Sequence, residues 1–385
     1  MAEETKPKPS APRWEFSHPG LRVIGIKRLR LPSRNWSIFW GVTGLFFGTL
    51  WYDRSQGKKI REEFKSQVAF LSEKPINGLE LPRKITVLLA PPPGDTIEIT
   101  KKHFRQNIKP LLTSAAIDHE IIEEDTQGHI RHVLAERIRN IRREAQNLPT
   151  SGYSPDELDH KINDKLIRNP DGGVICLGRG TYKEYLSGMH EGWMGPLEEP
   201  EFIREQKRVK EEEKLRVEQE AAANANDNEN ETKPKESKAS EKQVEPNWLP
   251  SSMYDDAQLD PVFFQHKIEP VLVVRNPHLL GFLRTPQRFA RYMSRRFYVE
   301  EAGEGARALV LQQVRPFQES DIGLASVEEA DWPRKWKQTG LDKASEWMQD
   351  VKVDGRLTSH LMLYDNNAPR PEGSEPSSSF EPELK

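Results

Sequence analysis

The longest uncharged run in the chain is NWSIFWGVTGLFFGTLWY, residues 35–52, bounded by Arg34 and Asp53. A helix rises about 1.5 Å per residue, so this run nearly covers a hydrocarbon layer of ~30 Å. Trp36, Trp40, Trp51 and Tyr52 stand towards its ends, where amphipathic rings favour the membrane–water interface. The pattern predicts a transmembrane helix over 35–52, in preference to a buried core helix. No small-residue cleavage site follows, which argues against a cleaved signal peptide. Gly44 and Gly48 form a G-x-x-x-G, with Gly41 one turn earlier. Small residues at this spacing let a second helix approach closely in lipid, although glycine is also simply common in spans.

Past the run the period changes. Ile60, Phe64, Val68 and Leu71 fall at i, i+4, i+8 and i+11, a helical stripe that predicts a connecting helix within 53–82, ended by Pro75. An alternation of strands and helices follows. KITVLLA (84–90) reads as a strand stopped by Pro91-Pro92-Pro93, and 100–116 as a helix. HEIIE (119–123) reads as a short strand, and 129–146 as a helix with charged residues opposite its apolar face. Ser154-Pro155-Asp156-Glu157 is a capping box that predicts another helix. Then GGVICLGRGTYKEYLSG (172–188) runs apolar strand, glycine turn, helix. EPVLVVR (269–275) is a further strand, 282–297 contains a helix, and 307–314 is read as a strand. Asp354-Gly355 within 351–363 suits a tight hairpin turn. Alternation of this kind means a mostly parallel sheet with helices on its faces, so the fold class is α/β. The chain divides into a basic N-terminal tail (1–34), the span (35–52), the connecting helix (53–82) and a first α/β part (83–200). After them come an insertion (201–247), a second α/β part with a C-terminal hairpin (248–365) and a loose tail (366–385).

Composition sharpens this division. Charged residues make up 30% of the chain against 35% hydrophobic, which is polar for a globular protein and calls for exposed or unfolded sequence beside the core. The insertion supplies it: its first half is charged all round, at most a solvated helix, and its second half is disordered by composition. The net charge of −3 does not point to nucleic acid. Lys and Arg within about fifteen residues of either end of the span number five and five, so charge alone does not orient it. Glu3, Glu4 and several prolines make the tail a poor mitochondrial presequence. The lone cysteine, Cys176, excludes an internal disulfide and a thiolate zinc cluster, and its apolar run predicts a buried structural thiol.

The glycine turn raises the question of nucleotide chemistry. Leu177-Gly178-Arg179-Gly180-Thr181, with Glu184, resembles the Gly-Gly-Asp-Gly-Thr loop of diacylglycerol kinases and related lipid kinases. The resemblance covers roughly 83–300. Arg179 stands where that family has its aspartate. The first loop, Ala90-Pro91-Pro92-Pro93-Gly94, is proline where the family is glycine-rich, and proline has no N–H with which to cradle phosphate. Arg284-Thr285-Pro286-Gln287-Arg288-Phe289-Ala290 aligns with a third motif, with Arg288 replacing another aspartate. Magnesium wants carboxylates at both places. The expectation is a degenerate lipid-kinase fold without catalysis: no catalytic residue, no cofactor and no metal, with Gly178, Arg179, Gly180, Thr181 and Arg288 as a vestigial loop. Arg179 and Arg288 are either a site for an anion such as a lipid phosphate or, the plainer expectation, ordinary surface arginines. His129 and His132 beside Glu123, Glu124 and Asp125 read as a solvated face rather than a metal site. Trp332, Trp336 and Trp347 are expected to be buried.

A second resemblance covers nearly the whole chain outside 201–245 and the C-terminal tail. LRLPSRNWSIFW (29–40), TVLLAPPPGD (86–95), GRGTYKEYLSGMHEGWMGPLEEP (178–200) and NPHLLGFLRTPQRFARYM (276–293) resemble the subunit-fifty-four family of the fungal mitochondrial carrier translocase. That resemblance implies a single-pass inner-membrane protein, N-terminus in the matrix and main domain in the intermembrane space. It implies a non-catalytic scaffold whose partners are the channel-forming subunit, small intermembrane-space chaperones, carrier precursors in transit and the inner membrane. The alternatives are a lipid kinase or phospholipid-binding module, and a plain tether that organises inner-membrane complexes.

Overall fold

The computed structural model describes residues 15–16, 29–30, 33–73, 83–149, 172–225, 246–249, 253, 256–342 and 345–370. The capping box at 154–157, the compositionally disordered half of the insertion and the tail beyond 370 lie outside the described residues. Six strands make the central sheet: β1 (Lys84–Leu89), β2 (Asp118–Glu123), β3 (Gly173–Leu177), β4 (Val271–Val274), β5 (Val314–Pro316) and β6 (Met362–Tyr364). Their order is β2-β1-β3-β4-β6-β5, parallel except for β5, which pairs antiparallel with β6 at the edge. The α/β fold class is thus observed.

The near-continuous apolar run of β1 has a direct cause: both faces of a parallel sheet are covered. Ile85, Val87 and Leu89 enter one core with Ile175, Leu177, Leu272 and Val274. Leu88 enters the other with Val174, Cys176, Val271 and Leu363. The second core is roofed by α4 (His129–Ala145) and α5 (Arg179–Met194). The first is roofed by the end of α1 (Arg34–Val68), by α2 (Glu98–His103) and α3 (Lys109–Ser114), and by α8 (Arg296–Val310). The remaining helices are α6 (Glu201–Ala225), α7 (Thr285–Met293), α9 (Val327–Asp331), α10 (Arg334–Asp342) and α11 (Gly355–Thr358). Cys176 is fully buried, and burial pushes its thiol pKa well up, as a structural thiol requires.

Span and connector are one unbroken helix, α1, which passes into a 3-10 turn at Ala69–Glu73. No described helix is long and apolar enough to cross a membrane. Asn35, Trp36, Trp40, Trp51, Tyr52 and the three glycines dilute the hydropathy of 35–52.

Three expectations are corrected. Residues 307–310 belong to helix α8, and the strand there is confined to Val314–Pro316. The α8 stripe is written in small residues: a Cβ on Gly303 would lie 2.4 Å from the Phe64 ring, so α1 and α8 meet almost backbone to side chain. Among the described residues, 351–363 form no hairpin. Asp354 caps α11 by accepting from Arg356 N, and β6 turns to β4 and β5 instead. Residues 366–370 are no loose tail, for Ala368 is buried and Asn366 accepts from Arg307.

Candidate functional site

In an open parallel sheet, ligands bind outside the carboxyl ends of the strands where the strand order reverses. Here the reversal falls between β1, which runs into Pro91-Pro92-Pro93, and β3, which runs into Gly178. Gly178 holds φ at +91°, a conformation a side chain would strain. Its turn aims the first N–H groups of the 16-residue α5 into the crevice, where an anion would be stabilised.

The chain fills this place with its own carboxylate. Glu328 of α9 accepts from Arg179 N at 2.9 Å and from Asn276 N at 2.7 Å. Burial pushes its pKa up to about 7, opposed by those two donors. The Arg179 side chain turns away: Nε donates to Glu329 at 2.8 Å, and Nη1 to the carbonyls of Ile322 (2.6 Å) and Leu324 (3.0 Å). Thr181 Oγ1 donates back to the Leu177 carbonyl at 2.7 Å. Trp347 lies on Gly180, where a Cβ would be 2.7 Å from the indole. Its Nε1 donates to Glu184 at 2.5 Å, and its ring packs with Trp332 and Trp336. About 20 Å³ remains, roughly the space of one water, whereas small-molecule sites have about 300–1,000 Å³.

Gly178, Arg179, Gly180 and Thr181 therefore do share one crevice, but Arg288 lines a different cleft, between α7 and α1. Arg179 is 6% exposed, so the expectation of a surface arginine is corrected for it, while Arg288 is exposed. Glu328, Glu329 and Trp347 were not legible as site residues. SVEEADW reads as an ordinary acidic surface helix, and only tertiary folding carries it to the strand ends. Among the described residues no cluster of three or more His, Cys, Asp or Glu could hold a metal.

The solvated face expected at His129 and His132 is corrected in part, for His132 is buried while half-buried His129 meets Glu124 at 2.6 Å, and the charged residues of α4 opposite its apolar face are buried too. Arg131 Nη1 donates to Glu191 at 2.5 Å and its Nε to Glu346 at 2.9 Å. Arg139 donates to Glu191 at 2.5 Å and to Glu136 at 2.6 Å, and lies 3.7 Å over the Trp248 ring. Arg142 donates to Asp260 at 2.9 Å. These ion pairs lie in the domain interior because α5 and the segments holding Trp248, Asp260 and Glu346 close over α4.

The opposite situation holds at the corner of α1 and α7. Trp36, Trp40, Trp51 and Tyr52 are all exposed, as are Ile38, Phe39, Leu45 and Phe47. A Cβ on Gly41, Gly44 or Gly48 would meet nothing within 4 Å. The contacts of α1 with protein begin on one side, at Phe46 and Thr49 against α7, and Leu50 and Asp53 are buried, Asp53 accepting from Arg295 N (3.1 Å) and Arg296 N (3.3 Å) at the start of α8.

Comparison with known proteins agrees with the sequence motifs. Residues 18–364 match the family described as inner membrane protein import complex subunit Tim54. The mitochondrial import inner membrane translocase subunit TIM54 of Candida albicans is 37% identical, over 94% of this chain and 99% of that protein. The subunit of the same name in Saccharomyces cerevisiae is 32% identical over 94% of this chain and 96% of its own length, and that of Yarrowia lipolytica 31% over 94% and 98%. With a family match over most of its length and relatives of this similarity covered almost end to end, the chain belongs to the Tim54 family.

Proposed function

We propose that this protein is a non-catalytic scaffold subunit of the mitochondrial inner-membrane import translocase. The observation that carries the non-catalytic reading is the crevice at the β1–β3 reversal. Its helix N-terminus is occupied by Glu328, its glycine turn is covered by Trp347, and its opposite wall is proline. A phosphoryl-transfer site needs open space and free backbone donors at this place. Membership of the Tim54 family supports the translocase, the mitochondrion and the inner membrane.

In this reading residues 35–52 cross the membrane once, with the N-terminus in the matrix and the α/β domain in the intermembrane space. Support comes from the exposed apolar surface of this stretch, where Trp36, Ile38, Phe39, Trp40, Leu45 and Phe47 stand open while only one side, at Phe46, Thr49 and Leu50, is contacted within the described chain. The open Gly41-Gly44-Gly48 face docks on the channel-forming subunit, and the domain surface receives small chaperones carrying carrier precursors. Crosslinking the domain in mitochondria during carrier import tests this. Crosslinks to the chaperones are expected, and crosslinks to other membrane complexes alone would leave only a tether. Phosphate transfer from ATP to diacylglycerol by the purified full-length protein would overturn the non-catalytic reading.

A further inference from the structure

Helix α7 differs from the other helices around the sheet. None of its residues is buried, yet it is fixed at both sides. Towards the domain, Arg291 makes a two-pronged ion pair with Asp331 at 2.7 and 2.9 Å, and Arg284 donates to the Asp331 carbonyl at 2.8 Å. Towards α1, the Phe289 ring stacks on Phe46 at 5.6 Å, Met293 meets Thr49, and Arg54 donates to the Tyr292 hydroxyl at 2.6 Å. Ahead of α7 stand Phe282 and Leu283, 89% and 92% exposed. The segment is therefore held rigidly while presenting large apolar side chains to the surroundings.

Its height along α1 says what those surroundings are. Phe46 lies six residues inside the end of the apolar run at Tyr52, roughly 9 Å along the helix. Helices that lie in a membrane interface sit about 5–10 Å into the headgroup–acyl boundary. Phe289 is thus at interfacial depth wherever 35–52 is in lipid. Just beyond Tyr52 opens a cleft of about 850 Å³ between α1 and α7, lined by eight Lys or Arg side chains and one carboxylate, Asp53. Arg54, Lys58, Arg288 and Arg295 are among them. Phe289 lies at interface depth and the cations of the cleft lie at headgroup height, which is the order an anionic bilayer presents.

We propose that α7, with Phe282 and Leu283 at its head, is a second membrane contact, lying in the interface of an anionic lipid surface beside α1. The proposal rests on the reading of 35–52 as a span, and its test separates the two. The full-length protein carrying Leu283→Cys or Leu45→Cys is labelled with an environment-sensitive fluorophore, wild type with its buried Cys176 serving as the labelling control. Each is reconstituted into bilayers of phosphatidylcholine, or of equal parts phosphatidylcholine and phosphatidylglycerol, with spin-labelled lipid at shallow or deep positions. At Leu283 a blue shift and quenching by the shallow label are expected, stronger with phosphatidylglycerol and reduced by Arg288→Glu with Arg295→Glu. Water-like emission at Leu283 in both bilayers, with Leu45 quenched by the deep label, overturns the second contact and leaves the span standing. Quenching at Leu283 without quenching at Leu45 sustains the contact and removes the span. Shielding of Leu283 only when the translocase is assembled makes the patch a protein interface and overturns the proposal.

Discussion

Around α4, four arginines (Arg131, Arg139, Arg142 and Arg143) lie buried with carboxylates in the domain, whereas at the α1–α7 corner Leu45, Trp51, Phe282 and Leu283 stand outside it. Each region reverses what composition favours for a soluble fold, and the two resolve the reversal differently. The buried charges find partners within the chain: Glu191 alone serves Arg131 and Arg139, and also accepts from Trp248 N at 3.2 Å. The exposed apolar groups pair with one another, as in the Trp36–Trp40 stack and the Phe46–Phe289 pair. A region that satisfies itself contributes stability. A region that does not is set aside for something outside the chain.

The sharpest way to break the comparison is Glu191→Ala. It leaves two buried guanidinium groups each short of a carboxylate, and removing one member of a buried pair costs about 3–5 kcal/mol. Denaturant unfolding of the full-length protein in detergent should show a loss of that size. An unchanged midpoint would mean that the α4 charges are not held by pairing.

Next in size is a pH effect in the same region. Glu184 is buried; one of its oxygens accepts from Gly128 N and Trp347 Nε1, and the other makes no hydrogen bond among the described residues. Burial raises its pKa to about 7 from an ordinary value of 4.5. Its folded form therefore keeps a proton that the unfolded chain gives up. The stability tied to that proton is full below about pH 4.5 and is lost as the pH rises through about 7. Glu184→Gln keeps the accepting oxygen and cannot ionise. The variant should match wild type near pH 4.5 and exceed it by up to about 3 kcal/mol at pH 8. Parallel stability curves across that range would show that Glu184 titrates normally.

Gly303→Ala probes the seam between the two regions, where α8 meets the α1 helix that runs on to the corner. Alanine improves an exposed helix by about 0.8–1 kcal/mol over glycine. Here its Cβ would meet the Phe64 ring at 2.4 Å, and overpacking costs about 1–3 kcal/mol. The clash should win by about 1 kcal/mol, and Phe64→Ala should remove the penalty so that Gly303→Ala stabilises by up to about 1 kcal/mol in that background. A stabilising Gly303→Ala in wild type would show that α1 and α8 are not in close contact.

The two regions were not equally legible in the sequence. β1, β3 and β4 were readable because Val, Ile and Leu runs bounded by proline or glycine are local signals, and β2 only through its Ile121-Ile122 pair. The glycine turn was readable for the same reason, through Gly178. The stopper was not: Glu328 lies 149 positions from the N–H it accepts from, and nothing local marks it. That the charged stripe of α4 is buried is not legible locally, because burial of Arg131 depends on Glu191 and Glu346, on other elements. The α8 helix was misread in part because its packing face is Ala302, Gly303 and Ala306, which carry little hydrophobic signal. The corner gave its apolar character openly, yet the register of α7 against Phe46 could come only from the fold.

The smallest expected effect on stability bears on the comparison most directly. Replacing Phe282 and Leu283 together by serine removes two large apolar side chains, which in a core would cost several kcal/mol. Here both are almost fully exposed, and nothing in the described chain loses a neighbour when they go. Surface substitutions without packed partners stay within about 0.5 kcal/mol. Unfolding in detergent should therefore be unchanged for the double variant, while Glu191→Ala, at a single position, falls by several kcal/mol. A loss above 1 kcal/mol for the serine pair would place these residues against protein, and the α1–α7 corner would then be part of the core it otherwise contrasts with.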